Sequence, residues 1–148
     1  MINDYIEHAR NRGYMTGVER DRQRIKANGE VFTPTELVQE IIAELESTNP
    51  ELFTDPNKTF IDNSCGDGQI LSEVVIRKMQ CGSTLEQALS TTYGVDLMSD
   101  NIEACRARLS GPNPPKRILD IVTKNIVCAD ALTYDYSFGE KTGFAKFM

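Results

Sequence analysis

Apolar residues in this chain follow two spacings, one suited to helices and one to strands, and the two alternate from about residue 33 onward. Before that, Tyr5, Ile6, Tyr14, Met15, Val18 and Ile25 form only a thin stripe among charges. That stretch predicts one or two helices, broken near Gly13, and a turn at Asn28-Gly29. Thr33-Pro34-Thr35-Glu36 predicts a helix start, with Thr33 as N-cap, Pro34 as first helical residue and Glu36 closing a capping box. Leu37, Val38, Ile41, Ile42 and Leu45 follow at helical spacing. Asn49 to Lys58 reads as a loop and Thr59 to Asp62 as a first strand. A helix from Gly68 to Gln80 would turn Ile70, Leu71, Val74, Val75 and Met79 inward. Ser83-Thr84-Leu85-Glu86 predicts a second capping box, leading a short helix with Leu85, Ala88 and Leu89. Thr92 to Leu97 reads as a second strand, and Ser99 or Asp100 would cap a helix bearing Ile102, Cys105 and Leu109. Gly111 to Pro115 breaks that helix. Arg117 to Lys124 predicts another, and Asn125 to Ala129 a third strand ending in Asp130.

Strands alternating with helices predict an α/β fold, a doubly wound sheet of three to four parallel strands with helices against it. Asp62, Asp96 and Asp130 each fall at the C-terminal end of a predicted strand, and in such a sheet those ends line one crevice. After Asp62 comes a Gly-x-Gly turn, Gly66 and Gly68, that opens a helix. Glycines there let the backbone approach a ligand with no Cβ in the way. The fixed charge of Asp62 suits a ligand with an amino group and a positive centre better than a pyrophosphate, and S-adenosylmethionine is such a ligand. A dinucleotide site fits less well, because Gly66-Asp67-Gly68-Gln69-Ile70-Leu71 lacks the third glycine of Gly-x-Gly-x-x-Gly. No Gly-Lys-Ser/Thr follows to make a phosphate loop. Asp96 is placed to accept both ribose hydroxyls of an adenosine, with Leu97 over one face of the base. Asp130 is placed to accept from an exocyclic adenine amine. Phe32 and Thr33 would supply an aromatic edge and a hydroxyl at the loop mouth, and Asp67 would face solvent or cap the helix.

A length of 148 residues predicts one domain, long enough to bury a substantial core. Four widely spaced cysteines and a single histidine give no zinc pattern and predict reduced thiols. No apolar run is long enough to span a membrane, and the N-terminus has no apolar signal core, so the expected location is the cytoplasm. The formal net charge of −6 argues against unaided binding to a DNA backbone. Residues 1–28 differ, with six basic side chains against four acidic ones. They read as a helical arm, either a solvated salt-bridged helix or a basic surface touching phosphate or an acidic partner.

Four segments in order resemble the cofactor motifs of the DNA adenine-N6 methyltransferases, in the arrangement where the Thr-Pro motif comes first. They are Gly29-Glu30-Val31-Phe32-Thr33-Pro34, Ile61-Asp62-Asn63-Ser64-Cys65-Gly66-Asp67-Gly68, Tyr93-Gly94-Val95-Asp96 and Cys128-Ala129-Asp130-Ala131-Leu132. The resemblance covers roughly residues 29–135, with Asn63 standing where the family often has Pro. It implies a partial class I, Rossmann-like methyltransferase domain over 29–148, preceded by the arm at 1–28. It also implies S-adenosyl-L-methionine as cofactor. Phe32, Thr33 and Asp62 would hold the methionine part, with Ser64, Cys65, Gly66 and Gly68 forming the loop. Asp96 and Leu97 would hold the ribose and base, and Asp130 and Ala131 the adenine.

The family's catalytic Asn/Asp/Ser-Pro-Pro-Tyr/Phe loop has no counterpart after the third strand. Asn113-Pro114-Pro115 precedes that strand, is followed by Lys116, and reads as a loop breaker. No catalytic residue is therefore assigned. The expected role is a cofactor-binding part that acts with a partner chain supplying the catalytic and DNA-recognition elements, so that DNA is met only through the complex. The alternative is a non-enzymatic interaction module, such as an anti-restriction decoy. A sheet of so few strands leaves an open edge, which predicts a homo-oligomer or a partner complex, with Phe138, Phe144 and Phe147 available to cover it.

Overall fold

The computed structural model describes residues 2–11 and 34–139. Its helices are α1 (Ile2–Arg10), α2 (Thr35–Thr48), α3 (Glu51–Thr54), α4 (Gln69–Gln80), α5 (Leu85–Ser90), α6 (Ser99–Ser110) and α7 (Lys116–Asn125). Its strands are β1 (Phe60–Asp62), β2 (Thr92–Asp96) and β3 (Ile126–Cys128). They form one parallel sheet in the order β1-β2-β3, with Ile61 opposite Tyr93 and Val95 opposite Val127. The chain is thus α/β, a three-stranded parallel sheet with flanking helices. Among the described residues no helix is long and apolar enough to cross a membrane.

Side chains alternate between the two faces of a strand, and the two faces here are covered differently. Ile126, paired with Gly94, belongs to a core with Leu71 and Val75 of α4, Ala88 of α5, Ile102 and Leu109 of α6 and Ile118 of α7. On the other face Ile61, Tyr93, Val95 and Val127 pack against Tyr134, Tyr136 and Phe138. The Phe138 and Tyr93 rings lie 4.9 Å apart. Helices on both faces, as double winding requires, are not what the described residues form. The reason is topological. Each crossover steps the chain in the same direction, and right-handed crossovers in one direction stack on one face. Phe138 accordingly closes a face of the sheet and does not cover its edge, while Phe144 and Phe147 lie outside the described residues.

Helix ends depart from expectation by small, explicable amounts. Pro34 has ψ 147°, extended rather than helical, so α2 starts at Thr35 and the expected N-cap, Thr33, lies outside the described residues. The second capping box sits one residue later than predicted. The Thr84 hydroxyl accepts from the Gln87 N–H at 3.1 Å, and the Gln87 side chain accepts from the Thr84 N–H at 2.9 Å. Neither Ser99 nor Asp100 caps α6; Met98 holds the cap position, with no capping side chain of its own. The loop expected over 49–58 contains α3, one turn too short to show a period, which drops Phe53 into a core with Val38, Ile42 and Val74.

Helix α4 is buried nearly all round. Beyond the expected inward residues it buries Ile76, Ser72, Glu73 and Lys78, because α1, α2 and the sheet all pack on it. Glu73 is met by Arg10 of α1 through two hydrogen bonds of 3.0 and 2.8 Å. Tyr5 is buried, donates to the Leu109 carbonyl at 2.7 Å, and has its hydroxyl pKa pushed up by burial. One face of residues 2–10, carrying Tyr5 and Ala9, therefore packs into the core, while Asn3, Asp4 and Glu7 stay exposed. The predicted break near Gly13 and turn at Asn28-Gly29 lie outside the described residues.

Candidate functional site

The turn between β1 and α4 is held from beneath by the middle strand. The Cys65 N–H donates to the Val95 carbonyl at 3.0 Å, and the Gly68 N–H closes back on the Cys65 carbonyl at 2.9 Å. Its two glycines have different work. Gly66 has φ 56°, and a Cβ there would meet nothing within 4 Å, so its surface is open. Gly68 has φ 93°, and a Cβ would lie 2.9 Å from the Cys105 Sγ. Gly68 therefore serves the packing of α6 on the turn, and only Gly66 keeps the expected open approach. Gly94 is also a packing glycine, since its Cβ would come within 2.7 Å of Leu71 and 3.0 Å of the Cys65 Sγ.

Asp62 and Asp96 are the last residues of β1 and β2, as expected, and they meet at this turn. The Asp62 Oδ1 accepts from the Ser64 N–H at 3.0 Å. Burial pushes the Asp62 pKa up from its ordinary value, the Ser64 N–H opposes that shift, and the nearby Asp96 charge adds to it. The Asp96 carboxylate is the hub of the site. Its Oδ1 accepts from the Gly66 N–H at 3.2 Å, and its Oδ2 accepts from the Met98 N–H and the Asn101 side-chain amide, both at 3.1 Å. It thereby fixes the glycine turn and the start of α6 to the end of β2.

The remaining predicted residues are less concentrated. Asp130 lies two residues beyond β3, is exposed, and its Oδ1 accepts from the Leu132 N–H at 2.9 Å. It is tied to the same rim by the Ala129 N–H, which donates to the Asp96 carbonyl at 2.9 Å. Leu97 is 60% exposed beside Asp96. Ala131 packs with the aromatic cluster on the second sheet face. Ser64 is exposed, whereas Cys65 is buried. Hydrogen bonding with Cys105, burial and the nearby carboxylates all push the Cys65 thiol pKa up, so it is an inert packing thiol. Phe32 and Thr33 lie outside the described residues. The structure thus brings together Asp62, Ser64, Cys65, Gly66, Gly68 and Asp96, with Leu97 and Asp130 at the margin.

Asp67 corrects an expectation. It neither faces solvent nor acts as a helix cap; it is buried and paired with the buried Arg108 at 3.5 Å. Arg108 also donates to the Ala9 carbonyl at 2.6 Å and to the Gln69 Oε1 at 2.8 Å, and Gln69 in turn donates to the Thr35 hydroxyl at 2.7 Å. One buried arginine therefore joins α1, the glycine turn and the start of α2. Neither Arg108 nor Asn101 is visible in the apolar pattern, because each is a polar residue on a buried helix face. A cavity of about 260 Å³ lies elsewhere, lined by Arg10, Glu46, Glu73 and Arg77 among α1, α2 and α4. None of the strand-end residues lines it, and its walls are already matched in ion pairs. Among the described residues no group of three His, Cys, Asp or Glu side chains is arranged to hold a metal.

No protein-family model, curated protein or solved structure matches this chain.

Proposed function

We propose that this chain binds S-adenosylmethionine across the C-terminal ends of β1 and β2, as the cofactor-holding part of a protein related to the DNA adenine-N6 methyltransferases. The observation that carries the reading is the open Gly66 backbone bonded to Asp96 beside a second carboxylate, Asp62. Two carboxylates at one turn repel a phosphate and attract an ammonium or sulfonium group. In this reading Asp62 faces the amino group of the methionine part, Asp96 the ribose, and Leu97 the base. Asp130 reaches the adenine from the third strand. Methyl transfer is not assigned to these residues. The reading calls for a partner chain to supply the catalytic loop and the contacts to DNA.

The test is calorimetric titration of the folded chain with S-adenosylmethionine. Micromolar affinity corresponds to about −8 kcal/mol. Asp62→Asn, which removes the charge but keeps an oxygen that can accept from the Ser64 N–H, should weaken binding by about 1.5–3 kcal/mol. Asp96→Ala should abolish it. A folded wild type that binds nothing would refute the proposal.

One observation favours a second reading. Three protein donors already occupy Asp96, so this acid has a structural task without any ligand. That is what a non-enzymatic interaction module or anti-restriction decoy would retain. Such a protein would tolerate Asp62→Ala with no change in partner binding.

A further inference from the structure

We infer that this site reads one ribose hydroxyl rather than two, and that Asn101 sets the limit. The inference rests on the adenosyl-binding reading above. A carboxylate has about four acceptor positions, two on each oxygen. On Asp96 the Oδ2 is filled twice, by the Met98 N–H and the Asn101 amide, each at 3.1 Å. The Oδ1 is filled once, by the Gly66 N–H at 3.2 Å. One position remains, and it is on Oδ1.

A vicinal diol bound side by side to a carboxylate needs one position on each oxygen. Here Oδ2 has none to give. Of its two donors, the Met98 N–H is fixed by the backbone at the head of α6, so Asn101 is the one a substitution can remove. Asn101 stands in the first turn of α6, five residues after Asp96, and is 2% exposed. Its amide orientation is determined, because a carboxylate only accepts and so the nitrogen must face it. Asn101 is a positioning residue that holds Asp96 in place and removes half of its capacity for a diol.

The experiment compares S-adenosylhomocysteine with its 2′-deoxy and 3′-deoxy analogues by calorimetry, on the wild type and on Asn101→Ala. For the wild type, one deoxy analogue should bind roughly tenfold or more weaker and the other within about twofold of the parent. In Asn101→Ala the freed position on Oδ2 should make both deoxy analogues bind roughly tenfold or more weaker than the parent. A merely structural role for Asn101 would lower all three affinities together and leave their ratios unchanged. A wild type that loses affinity equally with both analogues, or with neither, overturns the inference while leaving cofactor binding intact. If Asn101→Ala does not fold, the wild-type comparison decides alone. Failure of the parent to bind a folded wild type overturns the cofactor reading itself, and this inference with it.

Discussion

Lys78 offers a sharp test of how α4 packs on the sheet. It is 2% exposed in α4, and its ammonium donates to the Lys58 carbonyl at 3.0 Å and to the Thr91 hydroxyl at 2.6 Å. Those acceptors carry no charge, and they sit just before β1 and β2, at the end of the sheet away from the glycine turn. Burial pushes the amine pKa down from 10.5 to about 8. At about 1.36 kcal/mol per pH unit, keeping the charged form here costs about 3 kcal/mol. Below pH 8 that cost is fully present. Between pH 8 and 10.5 the unfolded chain holds a proton that the folded chain has released, so this residue makes stability rise with pH across that window.

Lys78→Met removes the titration. At neutral pH it relieves the charge but forfeits hydrogen bonds worth about 1.5–3 kcal/mol, so the two stabilities should be close. At pH 10.5 the wild type should lead by about 3 kcal/mol. The buried Tyr5 hydroxyl and Cys65 thiol titrate in the opposite sense, since their raised pKa values cost stability as pH climbs, but both chains share them and they cancel in the difference. Urea unfolding followed by circular dichroism suits a chain with no tryptophan. A wild-type-minus-variant difference that stays flat from neutral pH to pH 10.5 would refute the burial of a charged Lys78.

Other consequences are equally direct. Arg108→Leu takes the guanidinium away from the buried Asp67 and removes donors to Ala9 and Gln69, and should cost about 3–5 kcal/mol in urea unfolding; a cost under about 1 kcal/mol would mean the pair is not buried in solution. Gly66→Ala should cost about 1–2 kcal/mol for its left-handed backbone alone, while Gly68→Ala should cost about 2–4 because it also strikes Cys105; equal costs would contradict the different roles given to the two glycines. The raised Asp62 pKa predicts that affinity for an ammonium-bearing ligand falls as pH drops through that raised value, while Asp62→Asn shows a flat profile over the same range. A pH-independent wild-type affinity would remove Asp62 from the ligand contact.

Helical spacing and strand ends were legible in the sequence, whereas helix caps were less so. Ile102, Cys105 and Leu109 repeat at helical spacing and are all buried, and Asp62 and Asp96 end their strands because a carboxylate there can bond to the turn that follows. What depends on contacts between distant segments was not legible. The thin stripe at the N-terminus looks like a solvated helix until Arg10 meets Glu73 and Tyr5 meets Leu109, both more than sixty residues away. Asp67 sits between two glycines, where solvent is the natural expectation, and its burial is matched by Arg108, which arrives from α6. The second capping box sits one residue further on because Gln87 serves Thr84 just as Glu86 would serve Ser83, and the two pairs look alike in sequence.

The strand order bears on how much of a cofactor site the described residues can make. In an open α/β sheet a ligand settles where the strand order reverses, between crossovers that leave on opposite faces. Here β1-β2-β3 advances in one direction and no reversal occurs among the described strands. The glycine turn is nevertheless formed, because Asp96 and the Val95 carbonyl tie it to β2. Rigid donors and acceptors are thus in place on the inner side of the proposed ligand. The outer side is the edge of β1, which pairs with no described strand. A strand added there, running to the far side of β1, would create the reversal and the second wall of the crevice together. The site is therefore preorganised on one side only, and in this reading a partner that pairs with β1 should raise cofactor affinity without touching Asp62 or Asp96. By linkage the cofactor should then tighten partner binding by the same factor.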